Sequence, residues 1–278
     1  MTLSSALIKI FITFLFLQNH VNSQYSSPSK PQPSLGSTIS FSITKFDDES
    51  PNIFVKGDTS ISNGVLSLTK TDKYSGKPLQ KSVGHATHLT PIHIWDETSG
   101  ELADFSTSFS FIVNTNGSSL HGDGFTFFLG PLHFDLPKNS SGGYLGLFNP
   151  ETALIASQNP IVAIEFDSFT NGWDPASPSQ YTHIGIDVGS IDSVSTADWP
   201  LNVLPRNALG EARINYNSES KRLSAFVDYP GLGESTGVSF VVDLRSVLPE
   251  WVRVGFSAAT GELVETHDII NWSFEAAL

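Results

Sequence analysis

Apolar residues recur at every second position along most of this chain, and that period constrains its fold more than any other feature. Ile39, Phe41 and Ile43 alternate with Ser40, Ser42 and Thr44. Phe105, Thr107, Phe109 and Phe111 alternate with smaller polar residues, as do Leu223, Ala225 and Val227, then Val252, Val254 and Phe256, and near the end Ile270, Trp272 and Phe274. Successive side chains of an extended chain point to opposite faces, so each run predicts a strand with one buried face. Asn63-Gly64 ahead of Val65, Leu66 and Leu68 predicts a hairpin turn. Helical spacing is nearly absent; residues 150–156 and 243–248 are the two candidates, each a turn or two. Many short alternating strands with turn residues between them predict an all-β sandwich in a single domain. The twenty phenylalanines would fill a core fed by both sheets.

One strand carries more than packing residues. Val162, Ile164 and Phe166 take one face, while Glu165, Asp167, Phe169 and Asn171 take the other, and Asp174 and His183 follow in a loop. Residues two apart on such a face stand roughly 6.6–6.8 Å apart. On a solvent-facing strand these acids need no partner. Against a dry core, uncompensated carboxylates are costly, and a cation is the natural compensation. Carboxylate, amide and backbone oxygens suit Ca²⁺, and an added imidazole suits Mn²⁺ or Zn²⁺. The spacing leaves both readings open; the metal reading makes this a two-ion site with Asp167 able to reach both.

Several ordered motifs resemble those of the legume lectins. They are Glu165 to Phe169 (EFDSF) with Asn171 and the WDP at 173–175, His183 to Ile191 (HIGIDVGSI), Gly122 to Pro131 (GDGFTFFLGP), Gly142 to Phe148 (GGYLGLF), Leu248 to Gly261 (LPEWVRVGFSAATG) and Trp272 to Phe274 (WSF). The resemblance covers residues 38–278 and implies a jelly-roll β-sandwich with no catalysis, binding glycans or glycoproteins with the help of Ca²⁺ and Mn²⁺ or another transition ion. By that resemblance the transition-ion ligands are Glu165, Asp167, Asp174 and His183, with Ser193 acting through a water. The calcium ligands are Asp167, the Phe169 carbonyl, Asn171 and Asp174. The sugar would meet Asp123, the Gly143 N–H, Asn171 and the ring of Phe169, with Glu262 and Leu263 in a variable loop that tunes monosaccharide choice. The peptide before Asp123 is cis in the family, and homodimers or homotetramers are common. Two departures stand out. The interval from Asp174 to His183 is long, so the residues between are expected to bulge, and Gly122 stands where alanine is usual.

The remaining features bound where and with what the chain works. Residues 1–23, with Lys9, the apolar run Ile10 to Leu17 and Val21-Asn22-Ser23, read as a secretory signal. Residues 24–37 read as a flexible Ser/Pro-rich leader. A secreted, extracellular or vacuolar protein is expected, with no membrane span, since the N-terminal apolar run is too short to cross a bilayer. There are no cysteines and the net charge is −13, which opposes binding to nucleic acid. Sequons occur at Asn116, Asn139 and Asn271; the last, inside a predicted strand, is expected to be poorly accessible. The other histidines (His85, His88, His93, His121, His133 and His267) show no ligand spacing and read as surface or strand residues, with His121 bordering the pocket. Three other functions remain in view. A glycoside hydrolase could use Glu165 and Asp167 as its carboxylate pair, although neither is free to act as an acid if both hold metal. A storage or defence protein or enzyme inhibitor could keep the sandwich and lose the sugar, though its relatives typically lose ligands present here. The outer part of a receptor kinase is not expected, as no span or kinase segment follows Leu278.

Overall fold

The computed structural model describes residues 38–47, 52–174, 182–204 and 207–278. The expected signal (1–23) and leader (24–37) lie outside the described residues, as do residues 175–181 of the long interval before His183. Among the described residues the chain forms β1 (Thr38–Ile43), β2 (Ile53–Gly57), β3 (Ser60–Ser62), β4 (Val65–Ser67), β5 (Val83–His88), β6 (Ile92–His93), β7 (Asp104–Asn114) and β8 (Gly124–Pro131). It continues with β9 (Val162–Asp167), β10 (His183–Val188), β11 (Ser195–Asp198), β12 (Leu209–Asn217), β13 (Arg222–Tyr229), β14 (Glu234–Val241), β15 (Trp251–Ala259) and β16 (Thr266–Ala277). The helical elements among the described residues are all short 3₁₀ turns.

The strands pair antiparallel into two sheets. One runs β14-β13-β12-β7-β16-β4-β3, with β1 also on β16; the other runs β11-β10-β9-β8-β15-β5-β2, with β6 also on β15. Alternation explains the sandwich. Phe109 and Phe111 of β7 meet Phe166 and Phe256 of the opposite sheet, Phe109–Phe256 at 4.9 Å and Phe111–Phe166 at 5.1 Å between ring centroids, in the edge-on geometry that aromatic quadrupoles favour. Trp272 is 1% exposed, stands edge-on to Phe256 at 4.8 Å and donates its indole N–H to Thr107 Oγ1 at 3.0 Å. Trp272→Ala should therefore lower unfolding free energy by about 3–5 kcal/mol, read as a lower urea midpoint with an unchanged slope.

The second sheet is covered on its far side too. Phe128, Leu145, Leu147, Phe148, Ala153, Ile161, Ala163 and Ile191 form a smaller core beneath the 140–160 segment. Strands β8 and β9 are thus buried on both faces, and all six residues of β9 are buried. Glu165 and Asp167 do not lie on a solvent face.

Local signals behave mostly as their chemistry dictates. Asn63 and Gly64 take φ of 53° and 90°, the left-handed values that a tight hairpin between β3 and β4 requires. The candidate helix at 150–156 forms turns instead, with a 3₁₀ turn at Ala156–Gln158, and the one at 243–248 shortens to Leu244–Ser246. The end of the chain departs from simple alternation. A bulge between Ile269 and Asn271 puts Ile269, not Ile270, in the core with Trp272 and Phe274. Asn116 and Asn139 are exposed, whereas the Asn271 amide lies between strands, donating to Ser110 Oγ at 3.0 Å and accepting from Ser110 N at 3.2 Å.

Candidate functional site

The acidic face of β9 gains its neighbours from strand register. His183 of β10 is paired with Asp167, and Gly185 with Glu165; on the other side Gly124 of β8 pairs with Asp167. A Cβ on Gly185 would overlap Glu165 Oε1 and Ser193 Oγ, so glycine leaves room for the carboxylate. His183 Nε2 sits 2.9 Å from Glu165 Oε1, and one ligand atom from each of Glu165, Asp167 and His183 lies within 4.8 Å of the others. Beyond β9 the chain turns. Phe169 N donates to Asp167 Oδ1 at 2.7 Å, and Asn171 N donates to Asp174 Oδ2, bringing Asp174 back towards the cluster.

The cluster carries more negative charge than its surroundings compensate. Glu165, Asp167 and Asp187 are at most 2% exposed. Burial, then the charges of Glu165 and Asp174, hold Asp167 well above the usual carboxylate range. Burial and then Glu165 do the same to Asp187. Burial pushes Asp174 up to about 6 against the opposing Asn171 hydrogen bond. Burial alone would lower His183, but its hydrogen bond to Glu165 and the charges of Glu165 and Asp174 raise it. Glu165 Oε2, Asn171 Oδ1, Asp174 Oδ1 and Asp187 Oδ2 are inaccessible and have no hydrogen-bond partner among the described residues. Buried oxygens without donors are costly, and a set of carboxylate and amide oxygens beside one imidazole is the donor chemistry of Ca²⁺ and of Mn²⁺-class ions. The residues fit cations.

Asp187 is missing from the sequence-derived set, and Ser193 connects it. Ser193 Oγ lies 2.6 Å from Glu165 Oε1 and 2.8 Å from Asp187 Oδ1; a hydroxyl has one proton and can donate to only one of them. The signal was present: positions 183, 185 and 187 share a face by the same two-residue period as 163, 165 and 167.

A second set of groups converges beside the cluster. The Gly122–Asp123 peptide is cis, as the resemblance implies. Asp123 is buried, with its N–H donating to Ala259 O at 3.2 Å and its carbonyl accepting from Ser168 N at 2.8 Å. A Cβ on Gly143 would overlap the Asn171 amide, and one on Gly261 would come within 2.8 Å of Asp123 Oδ2. Asp123, Gly143, Asn171 and Gly261 therefore close around one spot. Phe169 is 39% exposed, and a Cβ on Gly122 would sit 3.0 Å from its Cβ and 3.7 Å from that of Leu263. Glu262 is drawn aside: its carboxylate pairs with Lys81 at 3.2 Å and its carbonyl accepts from Gln80 Nε2 at 2.6 Å.

Glu265 fastens this region from below, a role that the spacing of its partners did not reveal. Fully buried, it accepts from Ser168 Oγ and lies 3.0 Å from both His121 Nδ1 and His267 Nε2. Burial raises its pKa, but these hydrogen bonds and histidine charges outweigh that and bring it down to about 2. The sign is that of a depressed carboxyl: the stabilisation is present above pH 4.5 and lost as pH falls towards 2. Glu265→Gln should cost roughly 3 kcal/mol at neutral pH and flatten the acid limb of a stability–pH curve. Of the six histidines first read as surface or strand residues, His85, His88, His93, His121 and His267 are buried and only His133 is exposed. Burying an imidazole demands partners, which is why these residues are networked.

The chain matches the model of the legume lectin domain over residues 38–277. It is 92% identical over 279 residues to Lectin 9 of Medicago truncatula, covering all of both chains. A metal-free form of lectin I-B4 from Griffonia simplicifolia superimposes with a TM-score of 0.79 at 38% identity, over 86% of this chain and 100% of that one. Winged bean acidic lectin complexed with methyl-α-D-galactose gives 0.77 at 39% identity, over 87% and 99%.

Proposed function

The chain belongs to the legume lectin family, and from that premise we propose that it binds glycans reversibly, without catalysis, at a site built on two divalent cations. The observation that carries the reading is the set of buried, donorless oxygens on Glu165, Asn171 and Asp174 beside His183. In this reading Glu165, Asp167, Asp174 and His183 hold a transition ion such as Mn²⁺, with Ser193 acting through a water. Asp167, the Phe169 carbonyl, Asn171 and Asp174 hold Ca²⁺. The ions supply the positive charge that lets the buried carboxylates stay ionised, and so fix the 168–174 turn.

The sugar is then met by this chain's own groups. A hydroxyl-rich ligand offers little apolar area, so affinity depends on hydrogen bonds arranged in advance. Ionised Asp123 accepts from hydroxyls, the Gly143 N–H donates, and the Asn171 amide does either; Phe169 presents a flat apolar surface to the C–H face of the ring. Leu263 borders that surface, and Glu262 is a candidate only if it leaves Lys81. Glu165 and Asp167 serve the ions in this reading, which leaves neither as the protonated acid that glycoside hydrolysis needs. Passage through the secretory pathway to an extracellular or vacuolar destination, glycans at Asn116 and Asn139, and assembly into dimers or tetramers complete the proposal. Multivalent display would turn weak single sites into tight cross-linking. No helix among the described residues is long and apolar enough to cross a membrane.

A glycan array tests this directly. The purified protein, supplied with Ca²⁺ and Mn²⁺, should bind at least one class among mannose/glucose, galactose/N-acetylgalactosamine and fucose glycans, be displaced by the free sugar, and release no reducing sugar. Failure to retain any glycan under full cation supply would defeat the proposal.

A further inference from the structure

A second group of ligand atoms lies far from this site. His93 ends β6, Asp96 begins the 96–100 turn and Glu250 directly precedes β15. One nitrogen of His93 and one oxygen from each carboxylate lie within 4.8 Å of one another. His93 Nε2 stands 3.3 Å from Glu250 Oε1 and 4.0 Å from Asp96 Oδ2. The imidazole is 5% exposed and lies flat on the Trp251 indole, 4.3 Å between centroids and 6° from coplanar, because the two residues are register partners. Its Nδ1 has no hydrogen-bond partner among the described residues, and the two acids address Nε2.

We propose that His93, Asp96 and Glu250 form a third cation site, suited to a transition ion such as Zn²⁺ whose remaining positions are filled by water. One imidazole and two carboxylates are a zinc donor set, and ligands about 2.0–2.1 Å from a tetrahedral ion stand roughly 3.3–3.4 Å apart. The 3.3 Å spacing of Nε2 and Oε1 matches that edge and is long for a charge-assisted hydrogen bond, which settles near 2.7–2.9 Å, while Asp96 Oδ2, at 4.0 Å from Nε2, would draw in when an ion binds. Both acids are oriented beforehand. Asp96 Oδ1 accepts from Ser99 N at 2.7 Å and Thr98 N at 3.0 Å, leaving Oδ2 on the His93 side. Glu250 Oε1 accepts from Glu97 N at 3.2 Å. Side-chain exposures of 18% for Asp96 and 16% for Glu250 open a path from solvent. Trp251 and Ala259 are the two ends of β15, about 27 Å apart along an extended strand, so this ion would be separate from those beside Asp123. It would tie the 96–100 turn to the start of β15.

Equilibrium dialysis against micromolar Zn²⁺, after saturation with Ca²⁺ and Mn²⁺, tests the assignment on wild type, His93→Asn and Asp96→Asn. Asparagine at 96 keeps the acceptor for Ser99 and Thr98, so that variant should fold even if His93→Asn does not. Wild type should hold one more divalent ion per chain than either variant, and Zn²⁺ should raise its Tm by several degrees while leaving Asp96→Asn unmoved. Equal ion counts and equal Zn²⁺ responses in wild type and Asp96→Asn would mean an ordinary histidine–carboxylate pair and would overturn the proposal.

Discussion

Asp167→Ala is expected to leave the protein with two fewer bound divalent ions per chain than wild type and with no measurable glycan binding. The carboxylate stands at the end of β9, facing His183 across one strand pair and within the same ligand cluster as Glu165. Its Oδ1 also accepts from the Phe169 N–H, so it anchors the turn that carries Asn171 and Asp174. No other side chain in the proposed ligand sets faces both ions from the strand itself. The companion Asp167→Asn keeps an acceptor for Phe169 and should still lose the ions. Stability distinguishes lost binding from misfolding. Without metal, Asp167→Asn should be at least as stable as wild type, because it removes one of the mutually repelling buried carboxylates. With metal, wild type should gain about 2.7 kcal/mol for each ion supplied at a hundred times its Kd, and the variant nothing. A variant that kept both ions would contradict the role given to Asp167.

Asp123→Asn should separate the sugar from the metal. Asp123 lies outside the ligand cluster, between Gly142 and Gly261, and its buried carboxyl would offer charged acceptors to sugar hydroxyls. Hydrogen bonds to a charged group contribute about 1.5–3 kcal/mol each, so losing the charge should weaken glycan binding on the order of 10- to 150-fold. Ion content should be unchanged. Burial, and then the nearby Glu265 charge, raise the Asp123 carboxyl to about 7 in the protein without ions; the neutral amide removes that burden, and metal-free stability at pH 8 should rise. Calorimetry with the best array ligand, alongside elemental analysis, reads both halves of the expectation. Loss of ions together with sugar would show that Asp123 acts through the metal cluster instead.

Much of this was legible in the residues, and the parts that were not have physical reasons. Period-two alternation predicted β1, β7, β13 and β15 because each has one face on the inter-sheet core. The pattern of β9 left the acids' environment undecided, since alternation cannot tell a solvent face from one covered by another segment. The cover comes from Leu145, Leu147 and Phe148, distant in sequence. At Ile270 the expected phase failed because a bulge adds one residue to one strand of a pair, and no composition rule fixes where it falls. Asp187 could have been found from its spacing to His183; Glu265 could not, because its partners Ser168, His121 and His267 are joined only by tertiary register. The partners of His93 are hidden for the same reason: Glu250 is 157 residues away in sequence.

In the proposed reading, cations held among Glu165, Asp167, Asp174 and His183 are what make the saccharide site competent. The most direct measurement is glycan binding by one protein sample before chelation, after removal of all divalent ions, and after Ca²⁺ and Mn²⁺ are returned together. Binding, then none, then recovery is the expected sequence. Undiminished binding by protein shown to be free of ions would contradict it.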